Sequence, residues 1–395
     1  MNQGILKGIR ILDFTWVLAG PYATRILADF GAEVIKVQSR KTSPDVDLNL
    51  TAYFQAWNRN KRSITLNLEH AEAKELVLKL TQKCDVVIEN FSPRVMANWQ
   101  LDYEDLKSAK PDLIMVRISG MGQTGPWKDF VAMAPTIHAL SGLTYLTSFT
   151  PDAPMGVGFA YADVIAGLYA AFAVLAALEQ RDQTGEGQYI DLSEYEAMCS
   201  LLGPTYLDCQ LQRKEVLPSG NRPGYVPAAP YGCYPCAGKD QWCVIAVFSE
   251  AEWQAFCRVL GHPAWVQEEK FTTQEDRQKN AEDLDRHLKQ WTAEHTREEV
   301  VSLLQEAGIP AGAVQNAEDL AQDPQLKARE FFTPLEHPTL GRMMADRPPL
   351  KFEESLTTDW KAAPLLGEDN RYVFRGILGL EDSEFTDLLK KGIIG

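Results

Sequence analysis

Basic charge is scarce in this sequence. Its 395 residues carry 39 Lys and Arg against 54 Asp and Glu, a net charge of -15. Nucleic acid attracts a broadly basic surface, so no nucleic-acid partner is expected. A small polyanion held by a few local cations remains open. Cysteine is sparse as well. Seven of them, an odd number scattered along the chain, make no disulfide framework. Long apolar runs are missing. The longest, Val164 to Leu178, spans about 15 residues, short of the ~20 that cross a bilayer. Met1 to Arg10 holds no apolar signal core. These absences predict a soluble, cytoplasmic protein with reduced thiols and no membrane partner. The six His form no H-x-x-H or HExxH array. A G-x-S-x-G elbow, a P-loop, an internal repeat and a low-complexity tract are also missing.

Core material is plentiful. Apolar residues make up 45%, with nine Trp, sixteen Phe and thirteen Tyr, so the chain is globular and of a length for two domains, or three. Up to residue 200 strand and helix patterns alternate. Ile9–Phe14, Glu33–Val37, Ser63–Leu68, Asp85–Ile88, Leu113–Val116 and Tyr189–Leu192 read as strands. Pro21–Phe30, Ala71–Lys83 and Asp163–Gln180 read as helices, the last ended by the turn Thr184–Gly187. That alternation predicts an α/β fold with a mostly parallel sheet. The pattern breaks at the Pro- and Gly-rich stretch Pro218–Pro235. A strand, Trp242–Val247, and a mostly helical stretch, Ala251–Ala307, then suggest a smaller domain. Pro334–Pro364 is Pro-rich and extended, and Asp382–Lys391 closes the chain as a helix. The expected division is a large domain over 1–217, a small one with its linker over 218–333, and a C-terminal segment over 334–395.

Several motifs carry two readings. Gly120-Met-Gly122-Gln-Thr-Gly125 matches G-x-G-x-x-G after a strand, which would make an NAD- or FAD-dependent oxidoreductase. Pro126-Trp-Lys-Asp follows it instead of a helix, and no carboxylate ends a strand some 20 residues on, so a glycine-permitted loop fits better. Cys233-Tyr-Pro-Cys236 has metal spacing, but no second pair completes a site, and buried structural thiols are expected. His138 sits in an apolar stretch, where packing or a hydrogen bond explains it. Arg59-Asn-Lys-Arg62 with Arg40-Lys41 is a local basic group, either a solvated turn or a seat for phosphates. Asp163 is a lone carboxylate among small residues at a helix start. Asp caps helices there. It could equally be a covalent nucleophile, its anion stabilised by the helix N-terminus.

Taken together, the residues resemble a family, the class III CoA-transferases, which include formyl-CoA and carnitine CoA-transferases. The resemblance spans nearly the whole chain. It rests on Leu6-Lys-Gly-Ile-Arg-Ile-Leu-Asp-Phe14, Ala19-Gly-Pro21, Leu27 to Lys36, Asn60-Lys-Arg-Ser63 and Asp85 to Phe91. It continues through Ser119-Gly-x-Gly122 with Gly125-Pro126, Leu140-Ser-Gly142, Ala162-Asp163, Ala176-Ala-Leu178 and Thr184-Gly-x-Gly-Gln188. The resemblance implies that Asp163 is the nucleophile, passing through mixed-anhydride and aspartyl-CoA thioester intermediates. It implies acyl-CoA as substrate, no tightly bound cofactor and no metal. Coenzyme A would lie along Trp16, Val17, Leu18 and Ala19, with Arg40, Leu66, Leu68, Asn90 and Phe91 lining the same groove and Arg94 meeting phosphate. The implied fold is a Rossmann-like large domain and a smaller α+β domain, with the C-terminal segment returning to the large one. Two ring-like chains would interlock as a homodimer, or as a heteromer with a related subunit.

Departures from the family pattern narrow the reading. Asn98 and Ser39 stand where formyl-CoA transferases carry phosphate-binding Arg, with Arg94 and Arg40 nearby, so the phosphate grip is shifted. Gly224-Tyr-Val-Pro-Ala-Ala-Pro230 replaces a glycine-rich loop, and Trp16 replaces a polar residue. Both suggest an acceptor bulkier than formate or oxalate, an aryl- or alkyl-substituted acid or a dicarboxylate, with succinyl-CoA as donor. The acyl-CoA racemases share this fold, but Met133-Ala134 occupies the place of their His-Asp pair. A non-catalytic subunit of a hetero-oligomeric transferase is the remaining alternative.

Overall fold

β1 (Arg10–Asp13), β2 (Glu33–Gln38), β3 (Arg62–Thr65), β4 (Val86–Glu89), β5 (Ile114–Ser119) and β6 (Tyr189–Ser193) form one all-parallel sheet in the order β3-β2-β1-β4-β5-β6. They are seen in a computed structural model that describes residues 4–40, 48–213, 215–222, 227–353 and 360–395. Every neighbouring pair runs parallel, with Leu12 opposite Ile35 and Val87 and Val116 opposite Ile88 and Ile190. Parallel strands need covered faces, and here the side-chain alternation supplies both. Ile11, Val34, Val86, Ile88, Ile114 and Val116 point to one face. The helices Ala19–Asp29 and Tyr161–Thr184 cover it with Ala19, Ala23, Leu27, Ala166, Ala170 and Val174. Leu12, Ile35, Ile64, Val87 and Met115 point to the other, under Leu76 and Leu80 of the helix Ala71–Thr81 and under Val373, Phe374, Ile393 and Ile394.

The C-terminal stretch also protects the edge strand β3. Ser63 N–H donates to Asp369 Oδ2 at 2.9 Å and Thr65 N–H to Asn370 Oδ1 at 2.9 Å, so β3 offers neither amide to another chain. The Pro-rich stretch after Pro334 holds a hairpin, β10 (Phe332–His337) with β11 (Gly341–Asp346), which the extended reading did not foresee.

The long helix corrects the count of apolar residues. Tyr161–Thr184 is 24 residues, with a mean hydropathy of 1.8 over its apolar window, long and apolar enough by composition to cross a membrane. The apolar run alone counted about 15 because the helix continues past both of its ends. Ala166, Gly167, Ala170, Ala171 and Val174 are buried against the sheet and its neighbouring helix, so it serves as a core helix. It stops at Gly185, whose φ of 75° favours glycine.

The chain divides into two units. The first holds residues 1–144, 156–214 and 328–395, and therefore the sheet and the C-terminal stretch. The second holds 145–155 and 215–327. Residues 145–155 thus group apart from the large domain, where the sequence division had them, and 328–333 group with it. In the second unit β7 (Tyr231–Pro235), β8 (Trp242–Ala246) and β9 (Ala311–Ala313) form an antiparallel sheet. The helices Glu250–Val259, Ala281–Ala293 and Arg297–Glu306 pack Trp253, Phe256, Leu284, Leu288 and Val300 into its core. Cys233 lies on β7 and Cys236 just beyond it, and all seven cysteines are free thiols.

Candidate active site

The strand order turns back at β1 and β4, and such open α/β sheets bind ligands in the crevice past the carboxyl ends of those strands. Beyond β1 the chain forms the loop Phe14–Leu18 before the helix Ala19–Asp29. Beyond β4 it runs into Asn90 and Phe91. The two exits are tied together. Trp16 N–H donates to Asn90 Oδ1 at 2.8 Å, and Asn90 Nδ2 donates back to the Trp16 carbonyl at 2.9 Å. Val17 has a φ of 60°, an uncommon conformation for a β-branched residue, costing on the order of 1–3 kcal/mol.

A buried charge network fixes this loop from below. Asp13 accepts from Thr15 N–H at 2.8 Å, from the Thr15 and Thr24 hydroxyls at 2.5 and 2.7 Å, and from Lys61 Nζ at 3.2 Å. Lys36 Nζ donates to the Thr15 carbonyl at 2.7 Å. Lys61 Nζ donates further to the Pro21 carbonyl at 3.0 Å and to Asn58 Oδ1 at 2.9 Å. Burial alone would raise the Asp13 carboxyl, but the two ammonium groups and two hydroxyls hold it below the usual carboxylate range. Burial pushes Lys61 down to about 7 despite Asp13.

Asp163 approaches from the long helix. It lies in the first turn, not at the cap: the N-cap is Ala160, which offers no side-chain bond. The capping explanation therefore fails. The helix crosses Ala19–Asp29 so closely that a Cβ at Gly167 would meet the Ala19 carbonyl oxygen at 2.7 Å. That approach brings the Ala19 N–H to the Asp163 carboxylate, which also accepts from its own N–H. Burial raises the Asp163 carboxyl above its ordinary value, and these two N–H groups only partly offset it. No ion pair to Asp163 exists among the described residues. The half-buried Glu194 heads the helix Glu194–Leu201 directly after β6 and, among the described residues, has no hydrogen bond or cation either. Burial, with the charge of Asp163 beside it, pushes Glu194 up to about 8. Tyr53 is the third group near enough to sense the Asp163 charge. Sequence reading missed Glu194 and Tyr53. The Ser193-x-x-Glu196 spacing at the strand end marked a helix start there, and with it a residue beside the site.

The residues assigned to coenzyme A fall into two sets. Trp16, Val17, Arg40, Asn90 and Phe91 all stand just past the carboxyl ends of β1, β2 and β4. Trp16 and Val17 are exposed, and Phe91 is half-buried, edge-on to Trp99. Arg40 is exposed and bonds the carbonyl of Gly395. Arg94 opens the helix Arg94–Asn98, its side chain 76% exposed and 3.5 Å from Asp129. The second set is buried. Leu66 has its side chain in the core. Leu68 packs against the same core, half-buried. Leu18 and Ala19 are buried too, Ala19 contributing its N–H.

Of two motif readings, the phosphate seat fails and the glycine-permitted loop stands. Arg59, Lys61 and Arg62 form no phosphate seat. Arg59 bonds Asp29 at 2.7 Å and Asp346 at 2.8 Å, Lys61 serves Asp13, and Arg62 bonds Glu33 and Asp369 at 2.9 and 2.8 Å. Lys41, and Gly224 to Val226 of the acceptor loop, lie outside the described residues. The Gly120–Gly125 loop opens no helix. Its Gln123 N–H points at the Asp191 carboxylate at 2.9 Å, so an internal anion takes the place a pyrophosphate would need. Met133 and Ala134 begin the helix Ala134–Leu140 and supply no acid or base.

The parallel sheet with covered faces and a reversed strand order defines a doubly wound α/β fold. The profile of CoA-transferase family III matches residues 6–370. The chain is 32% identical over 397 residues to succinyl-CoA–D-citramalate CoA-transferase of Chloroflexus aurantiacus, covering 98% of each. It is 31% identical over 396 residues to succinyl-CoA:glutarate CoA-transferase of Mus musculus, covering 98% of this chain and 90% of that one. A CaiB/BaiF family protein of Brucella suis superposes with a TM-score of 0.85 at 31% identity, over 95% of this chain and 100% of that one. The chain belongs to CoA-transferase family III and is a CoA-transferase.

Proposed function

We propose that the protein moves CoA from succinyl-CoA to an acceptor dicarboxylate bulkier than oxalate, with Asp163 as covalent nucleophile. The observation that carries this is the Asp163 carboxylate itself. It stands at a helix N-terminus beside the crevice, half-buried, oriented by two N–H groups and paired with no cation. An unpaired carboxylate in a partly desolvated place retains its nucleophilicity. It attacks the thioester carbonyl, forming an aspartyl–acyl anhydride and releasing the CoA thiolate. The thiolate attacks the aspartyl carbonyl, giving the aspartyl-CoA thioester and the free donor acid. The acceptor carboxylate then displaces the thiolate, and the thiolate takes the acyl group from the second anhydride, restoring Asp163. Each bond broken is replaced by one of similar energy, and no water takes part. The thiolate must stay bound throughout, which is the task of the groove beyond β1, β2 and β4, with Arg40 and Arg94 as its exposed cations.

The acceptor class rests on Trp16, exposed on the crevice loop, and on relatives named for citramalate and glutarate. The apolar outer faces of two helices favour a dimer: Leu168, Tyr169 and Phe172 on Tyr161–Thr184, and Leu207 and Leu211 on Gly203–Gln212, are all exposed. The test is intact mass after mixing with succinyl-CoA and quenching with borohydride or hydroxylamine. A covalent change on Asp163 is expected, and transfer to glutarate should exceed transfer to oxalate. Asp163→Asn should lose transfer by about 10,000-fold or more. Wild-type transfer in that variant would sink the assignment.

A further inference from the structure

The first turn of a helix leaves N–H groups without intrahelical partners, and at the helix carrying Asp163 two of them find partners outside it. Tyr161 N–H reaches the Phe159 carbonyl at 2.8 Å. Asp163 N–H turns to its own carboxylate. Ala162 N–H, one residue before the nucleophile, donates to Nε2 of His138 at 3.0 Å. Ala160 supplies no side chain for this turn, so an imidazole from another helix caps it. His138 is only 4% exposed, wedged on Ala134–Leu140 between the long helix and Glu194–Leu201.

The chemistry of that bond is asymmetric. A backbone N–H can only donate, so Nε2 must carry its lone pair and the ring proton must sit on Nδ1. A proton added at Nε2 would set donor against donor and place a cation at the positive end of the helix dipole. We infer that His138 is a positioning residue for the nucleophile: its unprotonated Nε2 fixes the first turn of the long helix, and with it the Asp163 carboxylate, so that protonating His138 slows acylation. Sequence reading had left His138 as a packing or hydrogen-bonding residue. The bond exists, and it leads to the reacting group. The titratable groups at this end of the two packed helices are Tyr161, Asp163, Glu194, Tyr195, Glu196 and Cys199. Among the described residues none of them hydrogen-bonds the imidazole.

This inference rests on Asp163 being the nucleophile, and the experiment separates the two. The readout is the single-turnover rate of adduct formation from succinyl-CoA, by intact mass, between about pH 4.5 and about pH 8. Burial lowers His138 from 6.5 and raises Asp163 from 3.8, so both titrate on the acid side. The wild-type rate should fall there more steeply than one proton allows. His138→Gln keeps an acceptor for Ala162 but cannot be protonated. It should hold the rate at about pH 8 within about threefold and show a single-proton acid limb. His138→Leu should be about 100-fold slower throughout with CoA affinity unchanged. An acid limb in His138→Gln identical to wild type, or a wild-type rate in His138→Leu, overturns the role of His138. Should His138→Leu fail a thermal-melt check for folding, the His138→Gln profile decides alone. An adduct in Asp163→Asn overturns the nucleophile instead.

Discussion

Two groups of ionisable residues face the same loop and are treated in opposite ways. Beneath it, Asp13, Lys36 and Lys61 are fully buried, and every charge meets an opposite charge or a polar atom. Beside it, Asp163 and Glu194 are partly buried with no cation between them. The first arrangement stabilises a strained loop by satisfying its charges. The second leaves its charges unsatisfied, so a carboxylate stays reactive and its neighbour keeps a proton. On the proposed mechanism their jobs differ accordingly: one group holds the loop, and the other is left free to do the chemistry.

Removing one member of the satisfied group should have the largest effect on stability. Lys61→Met leaves Asp13 with one cation fewer and strips donors from the Pro21 carbonyl and Asn58. The expected loss is about 3–5 kcal/mol, read from urea unfolding at neutral pH. A loss below about 1 kcal/mol would mean the network is not what holds the loop. The seam between the two groups should respond next. Gly167→Ala puts a methyl 2.7 Å from the Ala19 carbonyl oxygen, so the helices must part. The cost should be about 1–3 kcal/mol, and the adduct rate should drop with it, because Ala19 N–H moves off Asp163. Lost stability with an unchanged rate would separate that N–H from the chemistry.

How much of this was legible depended on whether a signal was local. The alternation of Ile11 and Leu12, or Val34 and Ile35, placed each strand on two covered faces, and that pattern is written along the chain. Asp163 drew notice because a lone carboxylate among small residues stands out, and the resemblance implies a role for it. The basic cluster misled for the opposite reason. Arg59, Lys61 and Arg62 are adjacent in sequence, but their partners Asp29, Asp13, Glu33, Asp346 and Asp369 are scattered over the chain. Only the fold assembles those pairs, so local reading saw free cations. The inward turn of the Leu66 side chain was not legible, because position past a strand end and direction of the side chain are independent. His138 acts across a helix contact that no spacing rule encodes, and the Ser193-x-x-Glu196 helix start gave only an indirect signal for Glu194.

The unsatisfied group should respond with the opposite sign. Burial, then the Asp163 charge, raises Glu194 from 4.5 to about 8 in the folded protein. Between those values the folded chain binds this proton and the unfolded chain does not. The contribution to stability is therefore complete below about pH 4.5, falls as the pH rises through about 8, and is gone above it. Glu194→Gln removes the titration while keeping the shape. It should match wild type near pH 4.5 and become the more stable of the two at alkaline pH, measured as urea midpoints at each end. Repeating the pair in an Asp163→Asn background should shrink the gap, because one of the two causes of the shift is then absent. An unchanged gap would show that burial alone holds the proton on Glu194. A wild type that gains stability over the variant with rising pH would mean that a cation serves this corner after all, and the contrast between the two groups would fall.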